Sequence, residues 1–130
     1  MSDALDASAV IAHLDSDDAH HAAVAAVLDR AAGDRLIAHP LTIAECLVGA
    51  VRAGRGAEMV NAITAMRLEA IEVDRGGPLR LAELRLAIGL RMPDCCAVDA
   101  ARQHDAVLVT FDDRQARAAR KLGVSVEPGD

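Results

Sequence analysis

Five short apolar runs, separated by longer stretches of helical periodicity, set the fold class. The runs at 3–6, 35–39 ("RLIAH"), 70–73 ("AIEV"), 106–110 ("AVLVT") and 124–127 ("VSVE") read as strands. Between them, 8–14, 18–33, 42–53, 56–68, 76–90, 94–104 and 113–122 read as helices. Met59, Ile63 and Met66 recur at helical spacing, as do Leu79, Leu86 and Leu90. "RAAGD" and "KLGV" each put a glycine where a helix would stop, and "RGGP" and "RAGRG" read as turns. Strands joined through helices imply parallel pairing, because a parallel connection needs a crossover. The expectation is therefore an α/β fold: a doubly wound, mainly parallel sheet of about five strands flanked by helices. No linker, repeat or low-complexity tract divides the chain, so residues 1–130 read as one domain.

The core of that sheet must be built without aromatic rings. Apolar residues make up 52% of the chain, yet aromatics make up only 1%, with Phe111 alone. Ala, Val, Leu, Ile and Met must fill the interior, and a base-stacking surface of the single-strand-binding kind is not expected. Cys46, Cys95 and Cys96 form no C-x-x-C pair and read as small buried side chains in a reduced chain. The N-terminal apolar run has no basic stretch before it and is cut by Asp15, Asp17 and Asp18, which makes a poor signal peptide. No apolar run approaches the ~20 residues of a membrane span. A cytoplasmic protein is expected.

Charge is distributed unevenly around a net −6: residues 1–29 hold six acids and no Lys or Arg, whereas the rest is balanced. Four acids stand at element boundaries, and each has an ordinary explanation. Asp6 follows the first strand and suits a helix N-cap; Thr42-Ile-Ala-Glu45 fits a capping box. Pro93-Asp94 opens a helix, and Thr110-Phe-Asp-Asp113 fits a second box with Asp112 inside it. Together they imply something else. In a doubly wound sheet all four fall at the carboxyl edge, where such folds bind ligands. Gathered carboxylates repel one another and a bare phosphate alike. With oxygen ligands only, the set suits a hard cation, Mg2+ or Mn2+. Ser8 and Thr110 lie two residues from Asp6 and Asp112, where their hydroxyls can orient a carboxylate, and Asp113 can stand in for Asp112. Asp99, about 140° around the helix from Asp94, reads as an outsider.

"LDASAV", "TIAECL", "MPDCCA" and "LVTFDD", in that order, resemble a PIN domain, and more narrowly the VapC-type toxins of toxin–antitoxin pairs. The resemblance spans nearly the whole chain. It implies metal-dependent cleavage of RNA phosphodiesters, with the family's acids falling on Asp6, Glu45, Asp94 and Asp112. It also implies a homodimer and a cognate, VapB-type antitoxin that wraps the toxin. A Thr common in the helix after the third acid is absent, Ala100 standing near that place. Asp6 and Asp94, short and at element ends, suit direct metal ligation. Asp112 is a third ligand or a holder of metal-bound water. Glu45 is a ligand or the base that takes a proton from the attacking water.

An acidic site that holds RNA needs cations at its rim. Arg114, Arg117 and Lys121 recur on one helix face beside Asp112 and are the expected backbone contacts; Arg80 and Arg91 are weaker candidates. His20, His21, His39 and His104 show no ligand spacing, and His13 reads as a surface or core histidine. Leu47, Val48, Val51, Met59, Val60, Ile63 and Met66 exceed what one core face needs, and the surplus suits a dimer or antitoxin interface. Two alternatives stand beside the nuclease: a metal-dependent phosphatase or phospho-acceptor domain, and an inert binding module on the same fold. A phosphatase of the haloacid-dehalogenase kind wants Asp-x-Asp where this chain has Asp6-Ala-Ser8, and a receiver domain wants a late lysine that Lys121 does not match.

Overall fold

A computed structural model describes residues 1–129. Its elements follow the order β1 (Ser2–Leu5), α1 (Ala7–Leu14), α2 (His21–Arg30), β2 (Arg35–Ala38), α3 (Pro40–Arg52), α4 (Gly56–Ala65), β3 (Leu68–Ala70), α5 (Gly77–Ile88), α6 (Met92–Gln103), β4 (Val107–Val109), α7 (Asp113–Lys121) and β5 (Val126–Glu127). The strands form one sheet in the order β3-β2-β1-β4-β5, with every pairing parallel.

That order places the two layers. One cluster packs Leu5, Ala38 and Val109 against α1 to α4 through Ala9, Val24, Cys46 and Ile63. The other packs Ala4, Ile37 and Leu108 against α5 to α7 through Leu84, Val98 and Ala119. Alternate strand residues thus feed opposite layers, as the pleat requires. Connections on one side of β1 use the first layer and those on the other use the second. The winding reverses between β1 and β4.

Small side chains let the central helix approach the sheet closely. Every residue of α6 from Cys95 to Ala101 is buried, and all three cysteines are buried and free. Leu5, Ile37 and Leu108 fill the gaps that aromatic rings fill elsewhere; each contributes on the order of 1.5–3 kcal/mol.

Two boundaries differ from the sequence expectation. The third strand lies at Leu68–Ala70, two residues before the run at 70–73. Arg67 adopts a left-handed φ of 61° and turns the chain directly from α4 into the strand, so "AIEV" mostly follows the strand. Helix α3 starts at Pro40, not after Thr42. Proline needs no N–H partner at a first helical position, and the His39 ring caps the helix by accepting from the Leu41 N–H at 3.0 Å. Thr42 is buried inside the helix and forms no capping box.

Candidate active site

Asp6 is the most heavily furnished carboxylate of the chain. It caps α1, with Oδ1 accepting from the Ala9 N–H at 2.9 Å. Ser8 Oγ donates to the same oxygen at 2.6 Å, and Thr110 Oγ1 donates to Oδ2 at 2.5 Å. Each hydroxyl is itself held by the turn after β4: Phe111 N–H donates to Ser8 Oγ at 3.1 Å, and Asp112 N–H donates to Thr110 Oγ1 at 3.0 Å. Ser8 and Thr110 therefore orient Asp6 directly, as expected of auxiliary residues. A carboxylate offers about four acceptor sites, and three are taken. Asp6 is 6% exposed. Burial pushes its pKa up, the Ser8, Thr110 and Ala9 bonds pull it down, and the Asp112 charge pushes it up again.

Asp112 caps α7, its Oδ1 accepting from Gln115 N–H at 3.1 Å. The capping box expected from Thr110 to Asp113 is thus displaced, because Thr110 is spent on Asp6. Gln115 is the residue that sequence reading missed. It is fully buried, and its Nε2 donates to the Asp94 carbonyl at 3.1 Å. The N-termini of α6 and α7 are tied together through that amide. A glutamine three residues after an N-cap aspartate is the signal that points to it.

Asp94 lies in the first turn of α6, whose N-cap is Arg91, so Asp94 is not itself the cap. It is half-buried, and Arg91 Nε stands 3.7 Å from its Oδ2. Burial raises its pKa, Arg91 lowers it, Asp112 raises it and Arg114 lowers it. Glu45, half-buried in α3, is raised first by burial, lowered by Arg91, and raised by Asp94 and Asp6. Each of the four acids thus lies in the field of at least one other, and all four stand at the carboxyl edge where the winding reverses. Asp113 is exposed in the first turn of α7.

Arg91 and Arg114 are the bases whose charge reaches the acids. Arg114 Nη2 reaches the Gly89 carbonyl at 3.3 Å, and Arg117 and Lys121 are exposed further along α7. Arg91 is exposed as well. Arg80 is not one of these bases: its guanidinium is committed to Asp74 (2.7 and 2.9 Å) and to Asp99 (3.1 and 3.2 Å). Asp99 is outside the acidic quartet, as expected.

The donor set is all oxygen. Among the described residues no three Asp, Glu, His or Cys side chains stand close enough to enclose a cation. A closed cage of the zinc kind is therefore not what the chain offers. One or two carboxylates fit a hydrated hard cation that keeps several of its waters, and burial, which raises Asp6, Asp94 and Glu45, disfavours their bare charge. A groove lies elsewhere. It measures about 560 Å3 and runs between α1, α3 and α4, lined by Ile11, Leu14, Gly49, Ala53, Met59 and Ala62. Its α3 wall begins one helical turn past Glu45. Val48, Val51 and Val60 are exposed, while Ile63 is buried and Leu47, Met59 and Met66 pack against the core.

Carboxylates at the reversal of a parallel sheet, inside hydroxyl and helix N-terminal donors, define an acid-site α/β domain. The chain belongs to the PIN domain family, which matches residues 4–121. Its fold is shared with VapBC2 from Rickettsia felis bound to a promoter DNA fragment, at a TM-score of 0.76 and 16% identity over 98% of each chain. VapBC-1 from nontypeable Haemophilus influenzae superposes at 0.75 with 17% identity, covering 98% of this chain and 97% of that one. FitAcB from Neisseria gonorrhoeae superposes at 0.70 with 19% identity, covering 97% and 96%. Comparison with curated proteins gives no match. Among the described residues no helix is long and apolar enough to cross a membrane.

Proposed function

We propose that this PIN domain is a VapC-type toxin, a Mg2+- or Mn2+-dependent endoribonuclease restrained by a cognate antitoxin. The observation that carries the reading is Asp6: a buried carboxylate gripped by Ser8, Thr110 and Ala9, in the field of Asp112, at the reversal of the sheet. Burying a charge beside other charges costs stability, and a cation recovers it.

Asp6 and Asp94 would hold the ion, with Asp112 acting through one of its waters; the ion would supply charge neutralisation and a more acidic water when bound. Glu45 accepts the proton of the attacking water; burial and two neighbouring acids raise its pKa toward that task. Ser8 and Thr110 keep the Asp6 oxygens in place. Arg114, Arg117 and Lys121 hold the RNA backbone against an otherwise repelling site.

The antitoxin reading draws on the superposed VapBC and FitAcB structures and on the groove beside Glu45. Ile11, Leu14 and Met59 in its wall, with Val48 and Val51 exposed beside it, suit the apolar face of a partner helix. A homodimer follows from the same family reading.

The test compares wild type with Asp6→Asn and Asp94→Asn on RNA in Mg2+ and in EDTA. Cleavage by wild type alone, abolished by EDTA, is expected. Metal-dependent cleavage retained by either folded variant refutes the assignment.

A further inference from the structure

The one Phe, Tyr or Trp ring of the chain, Phe111, packs at the margin of the core rather than inside it. Phe111 sits between Thr110 and Asp112, and its backbone N–H bonds to the Ser8 hydroxyl that grips Asp6. Its ring is half-buried, and the imidazole of His20 lies on it with centroids 4.4 Å apart and planes 11° from parallel. His20 is exposed at the end of the α1–α2 loop.

The stack is not needed to order that loop. Asp15 accepts from the Asp17 N–H at 2.9 Å, and Asp18 accepts from the His20 N–H at 2.8 Å. Asp18 N–H reaches the Asp15 carbonyl at 3.0 Å, and His21 N–H reaches the Asp18 carbonyl at 3.0 Å. The His21 ring, at 2.8 Å from the Ala12 carbonyl, pins the loop to α1. Turn bonds hold the loop twice over, while the His20 ring nitrogens bond to nothing among the described residues. What the stack adds is a flat, pre-set aromatic surface facing solvent at the mouth of the site.

We infer that His20, backed by Phe111, is a platform on which one base of the RNA strand stacks beside the scissile phosphate. The inference rests on the nuclease reading and names a subsite within it. Charge around the site fixes the polarity. Arg91, Arg114, Arg117 and Lys121 lie on the α5–α7 side, whereas Asp15, Asp17 and Asp18 flank His20. A phosphate is repelled from the acidic loop and drawn to the cationic side. A base carries no such charge and has a π-face to offer. The strand therefore runs along the arginines and turns one base onto His20. Because the imidazole is already stacked, little freedom is lost when the base arrives. A stacked base must leave its own helix, so the subsite selects an unpaired nucleotide.

The test uses full-length protein carrying Glu45→Gln, which keeps the aspartates but lacks the proton acceptor, in Mg2+. Its ligand is a mixed-sequence 12-nucleotide single-stranded RNA and a set of the same strand with one abasic nucleotide at each position in turn. Adding His20→Ala should weaken binding of the intact strand roughly 5- to 100-fold, the range expected for one stacked base. His20→Tyr should restore affinity to within about threefold. One abasic position should weaken binding to the parent protein but leave binding to His20→Ala unchanged. Equal losses for intact and abasic strands with His20→Ala, or no loss at all, overturn the platform. Wild-type protein that neither binds nor cuts RNA in Mg2+ overturns the nuclease reading and the platform together. Wild-type protein that cuts RNA, with His20→Ala added to Glu45→Gln binding as tightly as Glu45→Gln alone, overturns the platform alone.

Discussion

Replacing Asp3 with asparagine should stabilise the protein above pH 6 and leave it nearly unchanged below pH 4. Asp3 lies in the central strand β1, is 4% exposed, and has one carboxyl oxygen without a hydrogen-bond partner. Its pKa is pushed from 3.8 up to about 6, first by burial, then by a hydrogen bond and charge from Asp34, and further by Glu127; the Met1 amine opposes these. Two neighbouring ion pairs stand close by: Met1 to Asp34 at 3.9 Å and Arg30 to Glu127 at 3.6 Å. Because the folded pKa is the higher one, the folded chain binds this proton more tightly than the unfolded chain. The stability it confers is fully present below pH 3.8 and is lost as pH rises through about 6. A shift from 3.8 to about 6 corresponds to roughly 3 kcal/mol at one pKa unit per 1.36 kcal/mol. Asparagine keeps a donor toward Asp34 and carries no charge to desolvate. Urea denaturation at pH 8 should show a gain of about 1–3 kcal/mol with an unchanged slope. At pH 4 the two proteins should nearly coincide. A variant no more stable at pH 8, or a gain equally large at pH 4, refutes the reasoning.

Three further outcomes follow from other parts of the molecule. Leu108→Ala empties a fully buried position shared by the sheet and α6 and should cost about 2–5 kcal/mol in denaturant titration. Asp99→Ala removes one of the two carboxylates that Arg80 bridges while leaving Asp74 in place and should lower the denaturant midpoint, with no change in metal affinity by calorimetry. Asp6→Asn removes a charge that burial disfavours. Its melting temperature without divalent ions should not fall, and the rise that Mg2+ or Mn2+ gives the wild type should disappear.

The sheet was legible because each strand carries a short apolar run and each crossover helix its own period. Where prediction slipped, the cause was local and invisible to pattern. The third strand begins early because Arg67 takes a left-handed turn that its side chain does not advertise. α3 begins early because a histidine ring serves as the cap. The four acids were put on one edge by asking what happens if the first strand neighbours the fourth; the strand order β3-β2-β1-β4-β5 meets that condition, which spacing alone does not supply. Gln115 was not found, because a glutamine in a polar helix looks like surface until the neighbouring helix is in place. Arg80 stood as a weaker candidate for a backbone contact for the same reason: its partner Asp99 lies 19 residues on, in another helix.

The Gln115 amide acts as a gauge block between two helix starts. It fixes how far the strand-end aspartate stands from the one that opens α6, from beneath, out of reach of anything that binds above. The exposed bases of α7 can then be exchanged one for another without changing that spacing.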